Sequence, residues 1–302
     1  MPKKQFDFIG KRRYWYILSC LILIIGLVSI AMQGMNKGID FTGGNIFQIS
    51  FEKSVALEDL RQTVEKYTGS TPSIKNSNTN EFIIRTADMN EDDSTAMLAE
   101  FEKSFGSITV ERNERIGPII GQELISNAIW ALVLALILML IYITIRFKFF
   151  FAVAAVAPLL HDVLITVGLF SILRVEIDST FIAAILTILG YSINGTIVIF
   201  DRIRENMRFG SKDGIAVLTN NSINQTLGRT INTVVAVLIL VVALLLFGGE
   251  TTKGFCLALF IGFTAGAYSS IFISGAILTD LIQRFGEGSS RNKQMKEAKE
   301  AN

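Results

Sequence analysis

The chain has 302 residues, is 50% hydrophobic and carries a formal net charge of +1, so it presents no overall basic field to a nucleic acid. One histidine, His161, rules against a histidine-based metal cluster. The two cysteines, Cys20 and Cys256, sit inside apolar runs without ligand or disulfide spacing and read as small buried hydrophobes.

A basic leader with Lys3, Lys4, Lys11, Arg12 and Arg13 precedes the first apolar run, Tyr14–Met32. That run exceeds the ~7–15 apolar residues of a signal peptide, so it is read as a retained span. Tyr14, Trp15 and Tyr16 are expected to anchor it at the membrane interface. Five further runs reach the roughly 20 residues a bilayer requires: Asn127–Ile145, Phe149–Leu173, Thr180–Phe200, Ile231–Phe247 and Phe255–Ile282. Basic residues fall in alternate connections: Arg146 and Lys148, then Arg202, Arg204, Arg208, Lys212 and Arg229, then Arg284, Arg291, Lys293, Lys296 and Lys299. By the positive-inside bias both termini are cytoplasmic.

The insert between the first two runs, Gly34–Glu123, therefore faces outward. Strands Ile46–Phe51, Ser73–Lys75, Glu81–Thr86 and Ser107–Arg112 alternate with helices Leu57–Tyr67 and Asp93–Phe105 in a β-α-β-β-α-β order. The helices bury Leu57, Leu60, Val64 and Tyr67, and Met97, Leu98, Phe101 and Phe105. With no Cys, His or phosphate loop, the insert reads as a binding or lever domain. The expected fold is an α-helical polytopic membrane protein with six transmembrane helices and an extracytoplasmic α+β ferredoxin-like domain between helices 1 and 2. Its divisions are a cytoplasmic N-terminus at 1–13, helix 1 at 14–33, the outward domain at 34–123, helices 2–6 at 124–283 and a cytoplasmic tail at 284–302.

Polar groups inside the spans carry the functional signal. His161-Asp162 lies mid-span, where a carboxylate costs ~2.5–3.5 kcal/mol on insertion scales. It serves either as a proton exchanger or as a structural hydrogen-bonding group. In the fourth span Ala183, Thr187, Gly190, Asn194 and Asp201 form one stripe, with Ser192 and Thr196 on another face. Lipid on both faces is excluded, which places the helix inside the bundle. Asp201 and Arg202 read as a solvated helix end, or as a cytoplasmic gate or partner contact. Arg229 either snorkels to the cytoplasmic interface or steadies a nearby carboxylate. Gly262, Gly266, Ser269, Ser270, Ser274 and Gly275 permit close approach of the sixth helix. GGETTKG at Gly248–Gly254 lacks the Gly-Lys pair of a phosphate loop. No nucleophile–base set or metal cluster appears outside the spans, so no enzyme, cofactor or metal is expected.

Several motifs together resemble the SecF branch of the SecD/SecF protein-export family. They are GIDFTGG (Gly38–Gly44), GPIIGQEL (Gly117–Leu124), LLHDVLIT (Leu159–Thr166), the Gly190–Asn206 stretch, INQTLGRTINT (Ile223–Thr233) and Leu246–Ser274. In GIDFTGG, Gly38, Gly43 and Gly44 supply backbone freedom around Phe41, while Asp40 and Thr42 are expected to cap the turn. The resemblance implies an accessory subunit pairing with a SecD-like subunit beside the SecYEG channel in the bacterial cytoplasmic membrane. It implies use of the proton-motive force to draw out a translocating unfolded polypeptide, within the resistance-nodulation-division superfamily. The lipid bilayer is the surrounding partner, and nucleic acid is not one.

One position departs from the pattern. The family usually has Asp after the Asn of the fourth span, facing an Arg that matches Arg229; here Asn194 is followed by Gly195. Either Asp162 or a SecD carboxylate takes the role, or the ion or path differs, or this half is mainly structural, or the Gly is an engineered change. The other reading of the whole chain is a proton-driven exporter of small molecules or lipids.

Overall fold

A computed structural model describes residues 5–78, 80–209 and 214–286. Lys3, Lys4, Lys212 and the tail residues Arg291, Lys293, Lys296 and Lys299 lie outside the described residues.

Among the described residues, six helices are long and apolar enough to cross a membrane. They are α1 (Arg12–Gln33), α5 (Pro118–Arg146), α6 (Phe149–Leu173), α7 (Ser179–Arg208), α8 (Ile215–Phe247) and a sixth span built in pieces. That span runs through α9 (Glu250–Tyr268), a π-helical turn (Ser269–Ser274) and α10 (Gly275–Leu281), and ends in a second π turn at Ile282–Gly286. Several helices outrun the expected apolar stretches because their ends are polar and continue into water. In α8, for example, Asn220 and Asn224 lie a turn apart, well before the apolar run begins at Ile231. The sixth span and α6 are the most enclosed, whereas α1, α5 and α8 are peripheral. Helices α1 and α6 touch at Gly26 and Gly168, where a Cβ on Gly168 would stand 2.9 Å from the Gly26 Cα. Only glycine lets the two backbones come so close.

The insert forms a four-stranded antiparallel sheet, ordered β2-β3-β1-β4. The strands are β1 (Gly44–Phe51), β2 (Ser73–Asn78), β3 (Glu81–Thr86) and β4 (Ile108–Ile116). Helices α3 (Leu57–Thr68) and α4 (Glu91–Phe105) connect them as in a ferredoxin-like domain. Phe47, Ile49, Phe51, Leu60, Val64, Ile84, Met97 and Phe101 make its core. Leu57, expected on the buried face, is the first residue of α3 and is 38% exposed. The Asn90 side chain accepts the N–H of Asp93 at 2.7 Å and starts α4 two residues before the expected point. At the domain surface, the Arg115 guanidinium holds the Asp88 carboxyl below its ordinary pKa through a 2.7 Å contact.

GIDFTGG folds as a single helical turn, α2 (Ile39–Thr42), before Gly43 at φ 79° and Gly44 at φ 150°. The Thr42 hydroxyl donates to the carbonyls of Gly38 and Gly43, each at 3.2 Å, as a turn cap does. Asp40 does not cap this turn: its Oδ2 accepts the backbone N–H of Ser179 at 2.8 Å, at the start of α7. Gly121 of GPIIGQEL packs on the same turn, where a Cβ would stand 2.6 Å from the Phe41 carbonyl oxygen. Two motifs far apart in sequence thus meet at one joint.

That joint is reinforced by the connection between α6 and α7. Gly38 N–H donates to Ile177 O and Ile177 N–H to Asn36 O, both at 2.8 Å. Arg174, at φ 54°, donates to Gln33 O at 2.7 Å. Glu176 then reaches the sheet, 2.8 Å from Arg85 and 3.4 Å from Lys75.

Two sequence expectations need correction here. Cys20 is exposed on the outer face of α1, while Cys256 is buried. Of the expected aromatic anchor only Tyr14 points outward, at 70% exposure. Trp15 packs on Phe272 with its ring tilted, 4.5 Å between centroids, and donates to Phe8 O, and Tyr16 donates to Asp280 at 3.0 Å. Trp15 is drawn inward by the leader, which folds back as a strap, and Tyr16 by Asp280 of α10. Asn220 accepts from Phe8 N–H at 2.8 Å, Asn224 accepts from Phe6 N–H at 3.0 Å, and Phe8 and Ile9 are buried.

A buried carboxylate and an open polar face

Apolar side chains of the bundle gather in two clusters, one around Phe151, Phe200 and Ile203 and one around Phe170, Phe181 and Ile188. Asp162 lies between them, fully buried. Its Oδ2 accepts from Ser192 Oγ at 2.6 Å and from Ser269 Oγ at 2.8 Å; its Oδ1 lies 2.9 Å from His161 Nδ1. Three contacts to a charged acceptor, at ~1.5–3 kcal/mol each, offset the cost of placing it there. Pro158, one turn earlier, interrupts the hydrogen-bond ladder of α6 just below this level. His161 is also buried, and its ring stacks on Tyr268 at 6.0 Å between centroids. Its Nε2 has no hydrogen-bond partner among the described residues.

One stretch of the sixth span, within the π turn, serves two neighbours. Consecutive residues Ser269 and Ser270 face different helices: Ser269 meets Asp162 of α6, and Ser270 Oγ lies 3.1 Å from Thr196 Oγ of α7. Successive side chains on a helix point to different sides of its axis. Ser192 and Ser269 appear in the sequence only as small residues, and their common target is 30 and 107 residues away.

Gly195, Asn194 and Arg229 come together. With Thr233, Gly266 and Ser270 they line a cavity of about 130 Å³ open to the surface of the chain. Ser192 borders both this cavity and Asp162. A Cβ on Gly266, also in the lining, would sit 3.5 Å from Asp162 Oδ2. One layer of small residues therefore separates the carboxylate from the cavity. Arg229 is exposed and forms no ion pair among the described residues.

The α7 stripe is not packed against the other helices of this chain. Ala183, Thr187, Gly190, Asn194 and Asp201 are all exposed, while Ser192 and Thr196 are buried. A Cβ on Gly190 would meet nothing within 4 Å. Polarity and small size require burial of such a face in a membrane, but they do not say by which chain. Near the other end of α7, Asp201 lies 3.9 Å from Arg146, and Arg202 pairs with Glu205 at 2.7 Å and with Gln225 of α8. Arg204 donates to Arg146 O at 2.9 Å, binding α7 to the α5–α6 connection.

A multi-pass membrane bundle with a ferredoxin-like insert after its first helix, one enclosed carboxylate and one uncovered polar face defines a transport-type membrane subunit. Residues 96–284 match the family described as protein export membrane protein SecD/SecF, C-terminal, and residues 28–55 match the SecD/SecF GG motif. The chain belongs to the SecD/SecF family. It is 41% identical to the protein translocase subunit SecF of Sebaldella termitidis, covering 94% of each chain. It is 39% identical to that of Haemophilus influenzae, over 93% of this chain and 87% of the relative. Among solved structures it is similar to SecDF, a translocon-associated membrane protein from Thermus thermophilus, with a TM-score of 0.83 and 36% identity. That match covers 93% of this chain but 39% of the SecDF chain, so this chain spans well under half of that longer protein.

Proposed function

We propose that the chain is a SecF-like subunit that pairs with a SecD-like subunit. Together they use the proton-motive force to promote polypeptide export through the Sec channel across the cytoplasmic membrane. The observation that carries this reading is the open α7 stripe: a membrane-spanning face too polar for lipid, left uncovered by its own chain. The relatives named SecF and the longer SecDF chain supply the kind of partner that would cover it. Arg146, Lys148, Arg202, Arg204 and Arg208 gather at the end of the bundle away from the α/β domain. That supports cytoplasmic termini and an outward domain with the divisions read from the sequence.

Within this reading Asp162 is the proton-carrying group of this half. Ser192 and Gly266 lie between it and the cavity of Asn194, Gly195 and Arg229. Arg229 has room beside Gly195 for a carboxylate contributed by the SecD-like chain. The role is transport rather than catalysis, with no cofactor beyond the gradient.

Co-purification tests the pairing. Gly190→Leu should leave the fold of this chain intact, since nothing occupies that space, yet abolish recovery of the SecD-like subunit. Undiminished recovery would refute the assignment of the stripe to the partner.

A further inference from the structure

Where α5, α6 and α7 approach the α/β domain, they leave an apolar cavity of about 230 Å³, lined by Phe41, Ile125, Leu132, Val163, Phe181 and Ile185 among others. Lys37 is the one charged residue in that lining. The same lysine lines a second, polar cavity of about 390 Å³ between the linker and the domain, with Asn36, Thr42, Arg85, Asp88 and Glu176. Lys37 therefore stands where hydrocarbon-like walls give way to polar ones.

The other charges of the polar cavity are matched: Arg85 with Glu176 at 2.8 Å, and Asp88 with Arg115 at 2.7 Å. The exposed Lys37 side chain forms no ion pair or hydrogen bond among the described residues. Its backbone is held in place by the flanking hydrogen bonds of Asn36 and Gly38 with Ile177. An unmatched cation is thus fixed at the mouth of an apolar cavity, at the level where a membrane-spanning chain meets lipid headgroups.

The occupant follows from apolarity and charge. The lining is apolar with a single unmatched cation at its mouth, which complements an acyl chain that carries an anionic headgroup phosphate. We propose that this is a phospholipid site: an acyl chain lies among Leu132, Val163 and Ile185, and the headgroup phosphate pairs with Lys37 Nζ. The site is independent of the proton-coupling reading.

The test uses the full-length chain with its co-purifying subunit, in nanodiscs of phosphatidylethanolamine and phosphatidylglycerol. A trace of phosphatidylglycerol carries a photoreactive acyl chain. Label is expected on peptides containing Val163–Val167 and Ile182–Leu186. Ala128→Phe, which fills the cavity, should remove that label. Lys37→Gln should lower it about fivefold, the loss of one lysine–headgroup attraction of ~1 kcal/mol, and Lys37→Arg should restore it. Ile119→Phe, on an exposed lipid-facing position outside the lining, should change nothing. Ile182→Phe replaces Ala128→Phe if the latter does not elute as a single species. Label unchanged by filling the cavity, or by Lys37→Gln, overturns the proposal. So does a cysteine at position 128 that cross-links to a partner polypeptide instead of lipid.

Discussion

The carboxylate of Asp40 accepts the backbone N–H of Ser179, 139 residues later, at 2.8 Å. The bond ties the linker after the first span to the first turn of the fourth, the helix that carries both the open stripe and Ser192. An anion at a helix start satisfies an orphan donor and complements the helix dipole.

Asp40→Ala should cost about 1 kcal/mol, the typical price of a lost N-terminal cap, while Asp40→Asn should retain most of it. Thermal unfolding in detergent and limited proteolysis of the linker read this out. Equal protease sensitivity of the Ala variant and the parent would show that the bond does not hold the joint.

Asp162→Asn keeps an acceptor for Ser192 and Ser269 but removes the charge. It should leave the protein folded and abolish gradient-dependent stimulation of export. Asp162→Leu should lose both stability and stimulation, because it also leaves two buried hydroxyls without their acceptor. Export by the Asn variant that still rises with the gradient would remove Asp162 from the proton path.

Gly195→Asp would place a carboxylate in the cavity that also contains Arg229. Its Cβ would stand 3.1 Å from Ser270 Oγ, a contact that a small side-chain rotation relieves. Export per unit gradient should rise, and adding Arg229→Gln should cancel the gain. No gain in the single variant would favour a partner-supplied carboxylate or a structural role for this half.

Glu176→Ala removes the shared partner of Arg85 and Lys75 in a mostly enclosed setting, with its side chain 13% exposed. Hydrogen exchange should accelerate in β2 and β3 as the domain loosens from the α6–α7 connection, with a cost of ~1–3 kcal/mol. Lys75→Ala should do far less, since its contact is longer and more exposed. Unchanged exchange in the Glu176 variant would mean that the backbone bridge at Ile177 holds the domain alone.

The spans were legible because a bilayer demands long apolar runs, and the α/β domain because its helices and strands keep distinct periods. The end of β4 was not: ERNERI has no alternating apolar face, and it forms a strand because its backbone pairs with β1 at the sheet edge. Asp162 stood out at once as a charge in the wrong solvent. Its partners did not, because serines 30 and 107 residues away leave no local signature, and the π turn that contains Ser269 has none either. Asp40 was misassigned for the same reason: a turn residue with a carboxylate usually serves its own turn, and only the fold brings Ser179 within reach. The stripe of α7 reads in the sequence as a face that lipid does not suit, but polarity and small size carry no signal of which polypeptide packs against it.

The strap at the start of the chain has a consequence for synthesis. Phe6, Phe8 and Ile9 are made more than 200 residues before Asn220 and Asn224, which receive their backbone. Until the fifth span is inserted, the backbone of these residues and the side chains of Phe8 and Ile9 wait without their seat. Contacts this distant in sequence form slowly. Closure of the leader onto α8 is therefore among the last steps of assembly, and it fastens the segment before the first span to the fifth.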